Sequence, residues 1–392
     1  MKRLQKVASS FLLVFSIYIS SGFSGFAEER KVELADKAAS AILIERDTGT
    51  VLYEKDADRK LPPASMTKIM TMLLIMEAID EGQIKLDDKV RTSEYAASMG
   101  GSQIFLEAGE EMTVDEMLKG IAIASGNDAS VAMAEHIAGS NDGFIEMMNE
   151  KARMLGLKNT SFKNATGLPA EEHYSTSRDM ALIAKELLKY DDIITKYTGK
   201  YEDYLRENTD KKFWLVNTNR LVKFYPGVDG IKTGYTSEAK YCLTATAKKD
   251  GMRVIAVVMG AATPKERNGQ VSKMLDYAFS QYRTHPMFDR NQPLVKISVS
   301  KGSQAKVEAV TSEQISILTK KGETVDDVVH EIVINENIEA PIQKGDEIGK
   351  LLLKKGEKIL LESPIVAAEE VAVASWWHLF KRTIGDFAKK TS

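Results

Sequence analysis

Three cations, Lys2, Arg3 and Lys6, precede an apolar run over 11–19 that only Ser16 interrupts, and small or polar residues follow as far as Ala27. A charged, an apolar and a small-residue region in that order predict an export signal over 1–27, cleaved after Ala27. The run is short for a 30 Å hydrocarbon core. Beyond it, two β-prone runs within 40–55 flank Asp47-Thr48-Gly49, a hairpin signal. Pro62-Pro63 stops extended structure, and 64–79 is rich in Met, Leu and Ile without Gly or Pro, which predicts a helix buried on most sides. Helical patterns recur over 114–138, 142–155 and 177–188, and two further strands are expected at 240–248 and 252–260. Strands at both ends of the segment with helices between predict one sheet packed on a helical insert, an α/β (α+β) domain over 34–285.

After about residue 286 the helical period stops. Short alternating runs at 294–299, 305–310, 330–334, 347–352 and 358–361 predict a small all-β domain over 286–365, with Gly302, Gly322, Gly345 and Gly356 between several of them. Over 366–392 the pattern changes again. Val373, Trp376, Trp377, Phe380, Ile384 and Phe387 recur at helical spacing, with Lys381, Arg382, Asp386, Lys389 and Lys390 mostly between them. An amphipathic helix with paired Trp and basic residues suits the plane of a membrane interface and is too short in apolar residues to span it. The protein is therefore expected outside the cell's cytoplasmic membrane, held peripherally on its outer face by this tail.

Composition narrows the chemistry. The 392 residues are 43% hydrophobic and 28% charged, ordinary for a globular protein, and the formal charge of −3 argues against a nucleic-acid partner bound through bulk electrostatics. A single cysteine, Cys242, excludes an internal disulfide framework and a Cys-rich metal site; within a strand it reads as a small, inert apolar residue. Five histidines without a His-x-x-x-His pair argue against a zinc peptidase of the helical kind. No metal or cofactor is expected. His173, in a loop beside Glu171 and Glu172, reads as an exposed structural residue.

Three short motifs carry the candidate chemistry. In Ser65-Met66-Thr67-Lys68, positions i and i+3 share a helix face, so the hydroxyl and the amine come within reach of each other. A Lys whose pKa is lowered by burial and neighbouring cations can activate the Ser, and a Lys one turn into so apolar a helix is expensive without a task. The same spacing occurs at 237–240, 298–301 and 303–306, so it is weak alone. Ser125-Gly126-Asn127 follows, read as a junction between two helices, among small residues that permit close backbone approach. Lys232-Thr233-Gly234, just before the 240–248 strand, makes an edge able to accept a peptide and bind its carboxylate.

In this order and on these elements, the three motifs resemble those of the penicillin-recognising serine hydrolases. More closely, the sequence resembles the low-molecular-mass penicillin-binding proteins that act as D-alanyl-D-alanine carboxypeptidases, in Pro63-Ala64-Ser65-Met66-Thr67-Lys68, Gly101-Ser102, Ala124-Ser125-Gly126-Asn127-Asp128-Ala129, His173-Tyr174-Ser175-Thr176, Arg178-Asp179-Met180 and Gly230-Ile231-Lys232-Thr233-Gly234-Tyr235-Thr236. Lys240 departs from that pattern, which has Gly before an aromatic residue.

The resemblance implies a β-lactamase/transpeptidase-like fold and a peptidoglycan pentapeptide ending in D-Ala-D-Ala as substrate, with β-lactam antibiotics binding covalently. It implies Ser65 as nucleophile, Lys68 as its base and Ser125 as proton relay. Asn127 would bind the acyl amide, and the backbone of Ser65 and Tyr235 the oxyanion. Lys232, Thr233, Gly234 and Arg267 would lie along the substrate, Thr233 and Arg267 at its carboxylate; from the sequence alone Arg267 is equally a solvated charge at a helix start. A D,D-endopeptidase shares every motif. A β-lactamase needs a second base on a loop followed by Asn, which Glu171-Glu172-His173-Tyr174 lacks. A sensor that acylates without turnover would carry a spanning helix and a cytoplasmic output region, and neither is seen.

Overall fold

A computed structural model describes residues 32–377. The expected export signal and the end of the expected tail helix lie outside the described residues.

Five antiparallel strands form the principal sheet in the order Val51–Lys55, Ser40–Glu45, Met252–Ala261, Lys240–Lys249, Val228–Thr236. Strands from both ends of the segment thus lie side by side, as the pattern predicts. The inner strands are covered on both faces and so read as nearly continuous apolar runs. Ile42, Ile44, Ile255, Val257 and Met259 face the helical insert, while Ala41, Leu43, Val254, Ala256 and Val258 pack under the helix Pro264–Gln281. That alternation is the two-residue period of a strand sorting side chains to opposite faces.

The helix Lys68–Asp80 runs through the insert, with Lys68 and the unbroken run from Ile69 to Met76 buried. A 3-10 turn, Ala64–Thr67, leads into it. The helical pattern over 114–138 is two helices, Val114–Ala124 and Asn127–Ala138, which meet at the expected junction. Ser125 between them adopts φ 65°, a left-handed conformation that ends the first helix and turns the chain.

The C-terminal part is all-β. Its five-stranded sheet runs Pro293–Ser298, Lys306–Thr311, Lys358–Ala367, Glu347–Lys355, Val328–Ile334, beside a pair made by Tyr282–Phe288 and Ile315–Lys320. Two features depart from the sequence reading. The alternating runs include neither Tyr282–Phe288 nor the Ile315–Lys320 strand. Its buried Ser316 hydrogen-bonds Asp47 of the first hairpin, so a polar contact sits where alternation would place surface. Residues 366–374 are extended, not helical: Val366 and Ala367 end the last strand, Val371 bridges Ile342 and Val373 bridges Gly302. Backbone pairing with the β domain outweighs the helical spacing of the apolar residues there.

Candidate active site

Pro62-Pro63 and the left-handed Ala64 (φ 48°) deliver the chain into the 3-10 turn. Ser65 lies on that turn, half-buried, and Lys68 opens the helix behind it, fully buried. The Lys68 Nζ donates to Asn127 Oδ1 at 2.6 Å, to the Thr166 carbonyl at 2.7 Å and to Ser65 Oγ at 3.3 Å. All three acceptors are uncharged. Burial, and then the nearby Lys232 ammonium, hold the Lys68 amine well below the usual lysine range, against the opposing pull of Asp128. An amine so placed is a base that has already lost part of its grip on a proton.

The loop supplying Thr166 is clamped to this turn. Asn164 Oδ1 accepts from the backbone N–H groups of Thr166 and Gly167, and Gly167 adopts φ +83° where a β-carbon would fall 1.8 Å from the Ala64 carbonyl oxygen. His173 holds the same loop from behind. It is buried, not exposed as the flanking glutamates suggest: Nδ1 accepts from the Lys163 N–H at 3.0 Å, which leaves Nε2 to donate to Thr67 Oγ1 at 2.8 Å. Burial and the Lys163 charge push its pKa down to about 4, so the ring is neutral and structural.

Asn127 is fixed at both ends of its amide, Nδ2 donating to the Gly100 carbonyl at 2.6 Å. Next to it, the Asp128 carboxylate is buried and accepts the backbone N–H groups of Ile104, Leu106 and Ala129, tying the 100–106 loop to the helix start. Ser125 Oγ is buried with no hydrogen-bond partner among the described residues, a donor left ready for a transient partner.

The edge strand Val228–Thr236 forms the opposite wall. Gly234 packs so closely on the Ser65 turn that a β-carbon there would lie 2.7 Å from the Pro63 carbonyl oxygen and 3.2 Å from Met66 N. Lys232 is buried, and among the described residues its ammonium hydrogen-bonds only the Thr233 carbonyl, at 3.2 Å. Burial and then the Arg267 charge bring its pKa down to about 7. Arg267, in the first turn of Pro264–Gln281, is also buried rather than solvated, and burial lowers it to about 10. Its Nε reaches Asn268 Oδ1 at 3.0 Å. Thr233 Oγ1 donates to Thr218 Oγ1 at 2.7 Å. Tyr235 is about half exposed, with its ring centroid 4.4 Å from that of Tyr241. Cys242 is buried, its thiol pushed up to about 11. Lys240 opens the next strand at φ 57°, which explains why a glycine suits this position.

Ser65, Lys68, Asn127 and the Thr166 carbonyl therefore form one hydrogen-bonded cluster, and Lys232 and Arg267 are within electrostatic reach of it in sequence: Arg267 acts on Lys232, which acts on Lys68. Residue types alone do not point to Thr166, Thr218 or Asp128. A backbone carbonyl has no side-chain signature, while Asp128 at least adjoins Ser125-Gly126-Asn127. Chemically, the arrangement joins a hydroxyl to a depressed amine and sets two buried cations where an anionic group can neutralise them.

The D-alanyl-D-alanine carboxypeptidase family matches residues 27–263, and the C-terminal domain of penicillin-binding protein 5 matches 282–373. The chain is 67% identical to the D-alanyl-D-alanine carboxypeptidase DacF of Bacillus subtilis, over 97% of this chain and 98% of that one. It is 35% identical to DacC of Escherichia coli over 93% and 90% of the two chains. Among solved structures it resembles penicillin-binding protein 5 of Haemophilus influenzae, with a TM-score of 0.65 at 30% identity, covering 86% of this chain and 98% of that one. On the match of most of its length to that family and to these relatives, the chain belongs to the D-alanyl-D-alanine carboxypeptidases.

Proposed function

We infer that the protein removes the terminal D-Ala from peptidoglycan stem pentapeptides through an acyl-enzyme on Ser65. Ser65 Oγ attacks the carbonyl carbon of the penultimate D-Ala as its proton passes to Lys68 Nζ. Backbone N–H groups of Ser65 and Tyr235 receive the oxyanion. The C–N bond then breaks, and the departing amine takes a proton relayed through Ser125, with Lys232 supplying charge at that end. Water, deprotonated by Lys68, attacks the ester and restores the serine. Asn127 holds the acyl amide, and Gly234 leaves the strand edge open to the substrate backbone. Thr233 and Arg267 receive the terminal carboxylate. β-Lactams react at the same serine.

The observation that carries this reading is the environment of Lys68: buried, bonded only to uncharged acceptors, beside Ser65 and repelled by a second buried lysine. An amine with a carboxylate partner would hold its proton; this one is set to accept it. The test is release of D-Ala from a D-Ala-D-Ala peptide by the purified protein, compared with Ser65→Ala. Release by the wild type, and neither release nor labelling by a fluorescent penicillin in Ser65→Ala, is the expected result. Labelling that persists in the variant would refute Ser65 as nucleophile.

For location, the reading is an exported protein, with signal 1–27, catalytic domain 34–285 and β domain 286–365, attached to the outer face of the cytoplasmic membrane by the tail. Support comes from Trp376 and Trp377, 72% and 57% exposed with their rings stacked, at the entry to that tail. Among the described residues no helix is long and apolar enough to cross a membrane.

A further inference from the structure

Two backbone acceptors that fix Asn127 come from the 100–106 loop: the Gly100 carbonyl takes its Nδ2 at 2.6 Å and the Ser102 carbonyl its backbone N–H at 2.7 Å. A β-carbon on Gly101, between them, would stand 2.8 Å from the same Nδ2, so the loop lies against the asparagine with no slack. The far end of the loop is held by Arg206, which follows the strand Glu202–Leu205 and has a side chain only 10% exposed. Its Nη1 donates to the Ile104 carbonyl at 3.1 Å and its Nη2 to the Phe105 carbonyl at 3.2 Å. Nε and Nη2 also take both oxygens of Glu110, at 2.7 and 3.0 Å. The Phe105–Leu106 peptide group is thereby bonded at both ends, its carbonyl to Arg206 and its N–H to Asp128 Oδ2 at 3.1 Å. A peptide dipole set between a cation and an anion makes two charge-assisted hydrogen bonds, each roughly twice as strong as a neutral one.

We propose that Arg206 is a positioning residue for acylation: by pinning the carbonyl side of the 100–106 loop, it sets the angle at which Asn127 meets the acyl amide of the substrate. This rests on the carboxypeptidase reading above, in which Asn127 holds that amide. Phe105 and Arg206 meet at φ 58° and φ 53°, left-handed conformations that a β-carbon disfavours and that persist only where the surroundings over-determine them. Two other contacts join the same segments. Phe105 meets Phe213 edge to face, with 5.6 Å between ring centroids, and Lys211 pairs with Glu107 at 2.7 Å. The ion pair is exposed on both sides and contributes little, and the ring contact carries no direction for the loop carbonyls. The planar fork of Arg206 is the contact that orients them. Because Asn127 Oδ1 is already taken by Lys68, a shift of the loop turns or frees a side chain otherwise held at both ends. Arg206 thus acts through the loop and not on the reacting atoms.

The test uses two β-lactams that differ at the acyl amide: benzylpenicillin carries one, and 6-aminopenicillanic acid has a free amine in its place. The ratio of their second-order acylation rates at Ser65 reads the Asn127 contact, and a general loss of activity cancels from it. Arg206→Gln is expected to lower the ratio by about fivefold, the worth of one hydrogen bond, and Arg206→Lys, which keeps the charge without the fork, by less. Asn127→Ala is expected to lower it at least as far, and Arg206→Gln added to Asn127→Ala to lower it no further, because the two act on one contact. Stoichiometric labelling by excess benzylpenicillin verifies a folded site in each variant. A ratio that both Arg206 variants leave at the wild-type value while Asn127→Ala lowers it would overturn the proposal and reduce Arg206 to a structural clamp. Additive effects in the double variant would overturn it as well. A ratio that Asn127→Ala itself leaves unchanged would refute the reading of Asn127 on which the proposal rests, and the proposal with it.

Discussion

A β-carbon on Gly234 would stand 2.7 Å from the carbonyl oxygen of Pro63, so the edge strand and the Ser65 turn meet at van der Waals contact with nothing to spare. Neither partner is a flexible side chain that could swing away: both are backbone, anchored by the sheet on one side and by the Gly167 contact on the other. The distance between the Val228–Thr236 edge and Ser65 is set here. Gly234→Ala is expected to push the two apart by a few tenths of an ångström and to lower the second-order rate of penicillin acylation by about tenfold or more. Stopped-flow acylation checks this; a rate within twofold of wild type would show that the contact does not set the geometry.

Lys232→Met tests the electrostatic coupling of the two lysines. The Lys232 charge disfavours protonated Lys68, so removing it raises the Lys68 pKa, and at a given pH less of the amine is free to act as base. The acid limb of the acylation pH profile is therefore expected to move to higher pH in the variant, beyond any overall loss in rate. An unmoved or acid-shifted limb would contradict the coupling.

The same substitution is expected to stabilise the fold. Lys232 has a pKa of about 7 when folded and an ordinary lysine value when unfolded, so between those pH values the unfolded chain binds more protons and wild-type stability rises with pH. Below about 7 the full penalty of a buried cation remains. Lys232→Met should thus melt above the wild type at pH 6–7, with the advantage shrinking as pH climbs toward 10, as seen by thermal denaturation across that range.

Asp128 acts through the backbone. Asp128→Ala would leave the buried N–H groups of Ile104 and Leu106 without their acceptor, at about 1–3 kcal/mol for each. A fall in Tm of several degrees is expected. Penicillin acylation should slow as well, since the 100–106 loop also supplies the Gly100 carbonyl that orients Asn127.

Part of this site is legible in the sequence because each motif is short, its side chains adjacent or one turn apart. Ser65 and Lys68 are one helical turn apart, and the apolar run behind Lys68 is enough by itself to imply that the amine is buried. The break at Ser125-Gly126-Asn127 is legible as a helix junction, but the left-handed conformation of Ser125 is not, since a serine does not advertise a positive φ as a glycine would. The Thr166 carbonyl, a direct partner of Lys68, belongs to the backbone and leaves no mark on residue type. His173 misleads for a related reason. Its neighbours Glu171 and Glu172 mark a surface loop correctly, but the ring turns inward to Thr67, and that orientation is fixed by packing 106 residues away in the chain. In the β domain, Val371 and Val373 are two residues apart, the spacing of a strand, yet they adjoin Trp376 and Trp377 at helical spacing. Pairing with Ile342 and Gly302 decides between the two.

The proposal that an uncharged amine at Lys68 activates Ser65 is met most directly by the acylation rate of Lys68→Met, measured with a labelled penicillin and with the adduct located by mass spectrometry. The variant keeps the length and volume of the buried side chain and removes the nitrogen. A fall of about a thousandfold, with all residual adduct on Ser65, is predicted. Acylation within tenfold of wild type would contradict it.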